Sequence, residues 1–434
     1  MPKEPKSVEI RGYQVGFGDC FLVSFIYGEK DRKHVLIDFG TTELRKGMKP
    51  SDHMPKIANL IKDHCGGQLT AVIATHRHAD HISGFATDNR TGKSGEIIRK
   101  LKPKVVIQPW TEDPKAAKNA KTATVDKTSQ RSRKSFIASL TAMHQIAEST
   151  AHLTKTKPAW MSASLQKELH FLGMDNIANK SAVENLIAMG SAAGATAVWA
   201  HHGSKSGLER HLPGVKVRVL GPPDLSQTEK IKKMRAKDPD QFWHLVANLN
   251  NDTRIQGDVT RSKRPKDNAP LPPDARWFRT RLDRIRGNQL LEIVRSLDDQ
   301  MNNTSLILLF EVFGKKLLFP GDAQIENWSW ALQDAPDCKE TVKLLSEVDV
   351  YKVGHHGSLN ATPKKLLWEN FRKRSRKSSH LTTLLSTLPG KHGRPGKGTE
   401  VPRKPLLEAL KSETHLSNTN ELKKDLFYFV KIEP

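Results

Sequence analysis

The chain has 434 residues, 37 % of them hydrophobic and 27 % charged, which suits a folded globular protein with a large core and is too apolar for a disordered one. No stretch approaches the roughly 18 apolar residues of a membrane span, and the N-terminal MPKEPKSVEIRGYQVGFGDC lacks the apolar segment of a secretory signal, so a cytoplasmic protein without membrane contact is expected. Lys and Arg number 70 against 47 Asp and Glu, a net charge of +23 that favours a polyanionic partner, nucleic acid first, over an acidic protein or simple solubility.

In chain order, VEIRGYQVGFGDCFLVSF reads as strand, glycine turn, strand, and HVLIDFG as a further strand ending at Asp38 and Gly40. Residues 52–64 carry apolar positions at helical spacing and lead into the short buried strand LTAVIATH. SGEIIRKLKPKVVIQPW repeats helix then strand, the alternation of a layered α/β fold. From about residue 111 to residue 300 the composition turns polar and basic, with Lys115, Lys118, Lys121, Lys127, Arg131, Arg133 and Lys134 close together. This segment reads as a large basic, mostly helical insertion, with helical periods at 135–150 and 181–189 and a core strand, VKVRVLGPP, near 215–223. A second basic segment at 254–276 precedes the helical LLEIVRSLDDQ. SLILLFEVFGKKLLFPGDA is a hairpin turning at Gly314, and VDVYKVGHHGS and LTTLLST are further strands joined by a basic stretch at 372–377. The three cysteines, Cys20, Cys65 and Cys338, are far apart and form no CxxC pair, which argues against a disulfide framework and a thiolate zinc site. The organisation expected is 1–110 as the first half of a core, 111–300 as the insertion and 301–434 as the second half with a C-terminal strand and helix.

Chemistry concentrates in three places. His76, His78, Asp80 and His81 follow directly after a buried strand, where rigid backbone can aim short side chains at one point. Two imidazoles two residues apart project to one side of an extended loop, and the adjacent Asp and His can serve a second ion; such nitrogen and oxygen ligands suit zinc, manganese or iron. Asp322, in PGDA beyond another strand, can bridge two ions about 3.5–4 Å apart. His355 and His356, with Lys352 and Ser358 in KVGHHGS, can bind metal or donate to a phosphoryl oxygen.

THRHADH, the upstream LIDFG, LLFPGDA and KVGHHGS, in this order, resemble the metallo-β-lactamase superfamily. The closest likeness is to the hydrolase domain of ComEC-type competence proteins, which have a GxGD turn, here Gly16-Phe17-Gly18-Asp19, and an NN-S-L-L strand, here Asn302-Asn303-Thr304-Ser305-Leu306. The ending STLPGKHGRPGKGTEVPRKPLLEALKSETHLSNTNEL is similar in degenerate form. The resemblance covers roughly residues 8–110, 195–225 and 300–430. It implies an αββα sandwich holding two divalent ions, zinc or manganese, and hydrolysis by a metal-bound hydroxide. Carried over, His76 and His78 would hold the first ion, Asp80 and His81 the second, and Asp322 would bridge them. His355 or His356 would complete the site or contact phosphate, Asp80, His356 and Lys352 would act in catalysis, and Asp38 would orient the histidine loop. Many members have another histidine after the strand equivalent to VKVRVLGPP. Here that loop reads PPDLSQTE, so Asp224, or His201 and His202 of VWAHHGSKSG, are the further ligand candidates.

No Walker loop, GxGxxG or GxSxG is found. The superfamily spans lactamases, lactonases, thioesterases, phosphodiesterases and nucleases, and the net charge, with basic stretches at 115–134, 230–237, 254–266 and 372–377, favours a nuclease or phosphodiesterase acting on DNA or RNA. The insertion and Lys352 would then grip the backbone without reading sequence. The alternatives are hydrolysis of a small phosphoester or other ester, and a nucleic-acid-binding component with a vestigial metal site. The insertion could also contact a protein partner.

Overall fold

Strands buried on both faces carry near-continuous apolar sequence, as CFLVSFI does here, whereas the alternating SVEIRGY leaves Glu9 and Arg11 partly exposed. In the computed structural model, which describes residues 3–113, 166, 169, 180–224, 302–358, 360–374, 381–391 and 400–434, β1 (Ser7–Tyr13), β2 (Cys20–Ile26) and β3 (Arg32–Phe39) form an antiparallel meander. Its register pairs Ile10 with Val23 and Val23 with Val35. Because successive side chains alternate between faces, Phe21, Val23 and Phe25 enter one core while Cys20 and Leu22 enter another.

Helix α1 (Pro50–His64) starts on a proline, whose fixed φ suits the first turn, and buries Met54, Ile57, Ala58 and Ile61 along one face. It leads into β4 (Ala71–Ile73), parallel to β3. A single turn, α2 (Ala79–Ile82), follows. Then α3 (Ser94–Lys100) and β5 (Val105–Pro109), and α4 (Lys180–Gly190) and β6 (Thr196–Ala200), extend the sheet by two parallel strands. The second sheet opens with β7 (Val215–Gly221), β8 (Ile307–Val312) and β9 (Lys315–Phe319), all antiparallel. The two-residue turn between β8 and β9 has φ of 37° at Phe313 and 78° at Gly314, the mirror-image geometry that matches strand twist and that glycine accommodates. Helices α5 (Ile325–Ser329) and α6 (Cys338–Ser346) precede β10 (Val350–Lys352), and β11 (Thr382–Leu385), α7 (Lys404–Glu413) and β12 (His415–Asn418) complete that sheet with parallel pairing. The last strand, β13 (Phe427–Ile432), returns to the first sheet beside β1.

The result is an α/β fold with two mixed sheets, ordered β13-β1-β2-β3-β4-β5-β6 and β12-β11-β10-β9-β8-β7. One core joins their facing sides, where Phe21 meets Phe319 edge-on at 6.1 Å and Phe25 meets Phe310 at 6.0 Å. A second core lies between the first sheet and α1, α3 and α4, and a third between the second sheet and α5, α6 and α7. Helices therefore cover both outer faces. Among the described residues no helix is long and apolar enough to cross a membrane.

Within the segment 111–300, residues 180–200 join the layers of the first sheet, in addition to the core strand near 215–223. Helix α4 buries Ala182, Leu186 and Met189 in the second core, and β6 is hydrogen-bonded to β5. Sequence periodicity misses this because β6 is a short edge strand with only its last residue fully buried. The basic stretches 115–134, 230–237 and 254–266, and the helical patterns at 135–150 and 290–300, lie outside the described residues.

Candidate metal centre

Five strand ends, those of β3, β4, β9, β10 and β11, meet at one edge of the two sheets, and each delivers a polar group there. Beyond β4 the backbone stays extended through His78 (φ −61°, ψ 150°) before α2 begins, so His76 and His78 face one another, with His76 Nε2 3.0 Å from His78 Nδ1. The first turn of α2 then presents Asp80 and His81, and all four side chains are buried.

Asp38, at the end of β3, organises this loop. Its Oδ1 accepts the Thr75 N–H and its Oδ2 the Thr75 hydroxyl, both at 2.7 Å. The same Oδ2 lies 2.7 Å from His81 Nδ1, which must carry the proton beside an acceptor. Nε2 of His81 is thereby turned toward Asp322 Oδ2, at 3.0 Å, and Asp80 Oδ1, at 3.8 Å. His356 is fixed in the same manner. Its Nδ1 meets the Ser386 carbonyl at 3.0 Å, which leaves Nε2 2.8 Å from Asp80 Oδ2. Asp322 is held through its backbone N–H, which donates to Ser305 Oγ at 3.2 Å, and its Oδ1 accepts the His355 N–H at 3.1 Å. Asp38, His355 and His356 all adopt positive φ, at 56°, 44° and 52°, so unfavourable backbone is concentrated at this edge.

Besides a group of Asp19, Asp38 and His81, two overlapping groups of candidate ligands result among the described residues, His76 with His78 and Asp80, and Asp80 with His81, Asp322 and His356; within each, the ligand atoms lie within 4.8 Å of one another. The residue common to both groups is Asp80, where the resemblance implies Asp322 as the bridge. Asp80 Oδ1, His81 Nε2 and Asp322 Oδ2 are buried without a well-formed hydrogen bond, His81 Nε2 and Asp322 Oδ2 facing one another at 3.0 Å. Such atoms are costly unless something satisfies them, and a cation does so for all three at once.

The electrostatics point the same way. Asp19, Asp38, Asp80 and Asp322 are four buried carboxylates, and among the described residues Lys352 is the one ammonium paired with any of them. Burial opposes ionisation of Asp80 and Asp322, yet His81 and the neighbouring cationic groups hold both below the ordinary carboxylate range. Burial likewise opposes a charged His81, but Asp322, Asp80 and Asp38 pull it well above its usual value, and Asp19, Asp322 and Asp80 do the same to His356. The cluster thus attracts positive charge, and protons and metal ions compete for it. Burial, with His81 and His78 alongside, pushes His76 well below its usual value, into the neutral form in which imidazole binds metals.

The remaining sequence candidates divide. His356 joins a ligand group, whereas His355 stands at the rim, 15 % exposed, with Nε2 3.9 Å from Asp322 Oδ2. His202 is engaged elsewhere, its Nε2 2.9 Å from Asp337 Oδ1 and its Nδ1 2.9 Å from the Leu220 carbonyl. His201 Nδ1 meets the His202 carbonyl at 3.0 Å. Neither histidine nor Asp224 belongs to any ligand group among the described residues. Lys352 is buried against the cluster. Its Nζ is paired with the Asp19 carboxylate and donates to the Gly321 carbonyl at 3.0 Å, with Asp322 Oδ1 at 3.4 Å. In the basic stretch 372–377, Arg372, Lys373 and Arg374 are engaged by Glu347, Asp349 and Glu413, and 375–377 lie outside the described residues. Asp19 is the residue to which sequence reasoning gives no role, although an acidic side chain at the mouth of the apolar strand CFLVSF is a visible signal. Ser386 acts through its carbonyl and leaves no signal in the sequence.

No family model matches the chain, and no curated protein matches it. The fold and the site define an α/β protein with a buried His/Asp cluster that could hold a metal ion.

Proposed function

We propose that the chain is a metal-dependent hydrolase of the metallo-β-lactamase type that cleaves phosphodiesters in DNA or RNA. The observation that carries this reading is the convergence of the buried Asp80 Oδ1, His81 Nε2 and Asp322 Oδ2, together with His356, beside the His76–His78 pair. Zinc or manganese ions held by His76, His78, Asp80, His81, Asp322 and His356 would supply Lewis-acid charge and an activated water at neutral pH. The chain's own groups prepare the site. Asp38 and Ser386 fix the tautomers of His81 and His356, and the Asp19–Lys352 pair sets the charge beneath Asp322. His355, partly exposed beside Asp322, is placed to hydrogen-bond a phosphoryl oxygen or return a proton to the leaving oxygen. The excess of 70 Lys and Arg over 47 Asp and Glu supports a polyanionic substrate over a neutral lactam or lactone.

Purified protein incubated with single- and double-stranded DNA and with RNA, in Mn²⁺, Mg²⁺ or Zn²⁺, tests this directly. The expected result is metal-dependent cleavage abolished in an Asp80→Ala, His81→Ala variant. Tight binding without cleavage under every metal would overturn the nuclease reading.

A further inference from the structure

At the opposite end of the first sheet from the metal cluster lies a second concave site. Lys33 sits near the start of β3, whose far end carries Asp38, and Thr70 and Lys104 precede β4 and β5. At strand rise per residue, five residues of β3 separate the two places by roughly 17 Å. The loop between β6 and β7 closes this site with Arg210 and His211, and Lys3 approaches from the N-terminal segment. The Tyr27 hydroxyl donates to the Pro213 carbonyl at 2.7 Å and fixes one wall.

The charge here is unbalanced. Asp31 is the single carboxylate in the lining, and it is already bonded to Lys3 and Lys33. Among the described residues Lys104 and Arg210 meet no carboxylate. His211 registers the resulting field. Partial burial, then Lys104, Arg210 and Lys33, push its imidazole below the ordinary value. The cavity holds about 220 Å³, less than the roughly 300–1,000 Å³ of sites for drug-sized ligands. That size, with three or more converging cations, selects a compact, highly charged anion. Lysines and arginine spaced around a cavity bind such a group as point charges and as a planar donor fork respectively.

We propose that Lys33, Lys104, Arg210 and His211 form a binding site for a compact polyphosphate group, pyrophosphate or the polyphosphate moiety of a nucleotide, separate from the metal centre.

Isothermal titration of the full chain with pyrophosphate, in excess EDTA so that the metal centre holds no ion, tests the site. Wild type and the Asp80→Ala, His81→Ala variant are expected to bind alike, and Lys104→Ala, Arg210→Ala to bind at least about tenfold more weakly, in line with the loss of two charge-assisted contacts. Both substituted residues are exposed, so the variant keeps its fold. ATP should displace pyrophosphate. No saturable binding by the wild type, equal binding by Lys104→Ala, Arg210→Ala, or displacement by an oligonucleotide but not by ATP would each overturn the proposal.

Discussion

Lys352 and Asp19 form the pair on which the cluster rests, and each is buried. Removing one partner of a buried ion pair leaves the other charge uncompensated, which costs about 3–5 kcal/mol, whereas replacing both by neutral groups is close to neutral. Lys352→Met is therefore expected to lose stability by about that amount, and Asp19→Asn, Lys352→Met to recover most of it, as read from urea unfolding midpoints. A double variant no more stable than Lys352→Met would contradict the pairing. At this scale much of the site was legible. His76, His78, Asp80 and His81 fall within six residues, so their convergence follows from one loop after one strand. Asp322 and His356 were legible as residues beyond strands. What the sequence could not assign was direction. Nothing in KVGHHGS distinguishes His356, which points into the cluster, from His355 at the rim, because a backbone with positive φ at both sets their orientation. Lys352 looked like a substrate contact because its partner Asp19 is remote in sequence.

Among the elements, the turns before β2 and after β3 clamp α2. The Asp19 N–H donates to the Asp80 carbonyl at 2.9 Å, and the Gly40 N–H to the Asp19 carbonyl at 3.1 Å. A Cβ on Gly40 would lie 2.4 Å from the Asp80 carbonyl carbon and the His81 nitrogen, which are backbone atoms with nowhere to go. Gly40→Ala is expected to cost about 1–3 kcal/mol through overpacking and to weaken metal binding by displacing Asp80. Gly28→Ala, with open space around it, should stay within about 0.5 kcal/mol of wild type. Equal midpoints for the two variants in thermal or urea unfolding would contradict the clamp. The glycine in LIDFG thus has a steric reason that the sequence only hinted at. The early strands, α1 and the Gly314 hairpin were readable from local periodicity and turn chemistry. The edge strands β6 and β13 were not. TAVWA is short and mostly half-buried, and FYFVKI gains its place by pairing with β1 from the far end of the chain.

Across the whole molecule, the α/β alternation was legible, while periodicity does not say which buried faces meet. The net charge of +23 has a measurable consequence. If the substrate is a nucleic acid contacted at six to ten phosphates, affinity should fall about 10³–10⁵-fold between roughly 50 and 200 mM salt, as measured by fluorescence anisotropy with a labelled oligonucleotide. A nearly salt-independent affinity would favour a small phosphoester substrate instead. The proposed hydrolysis depends on the cluster holding metal. The most direct test is the metal content of the protein after exposure to Zn²⁺ or Mn²⁺ and removal of free ions, measured by plasma mass spectrometry for wild type, His81→Ala and Asp322→Ala, with circular dichroism to confirm folding. About two ions per wild-type chain and a clear deficit in both folded variants are expected; a folded wild type that retains no metal, or variants that retain as much as wild type, would mean that the cluster is not a metal centre.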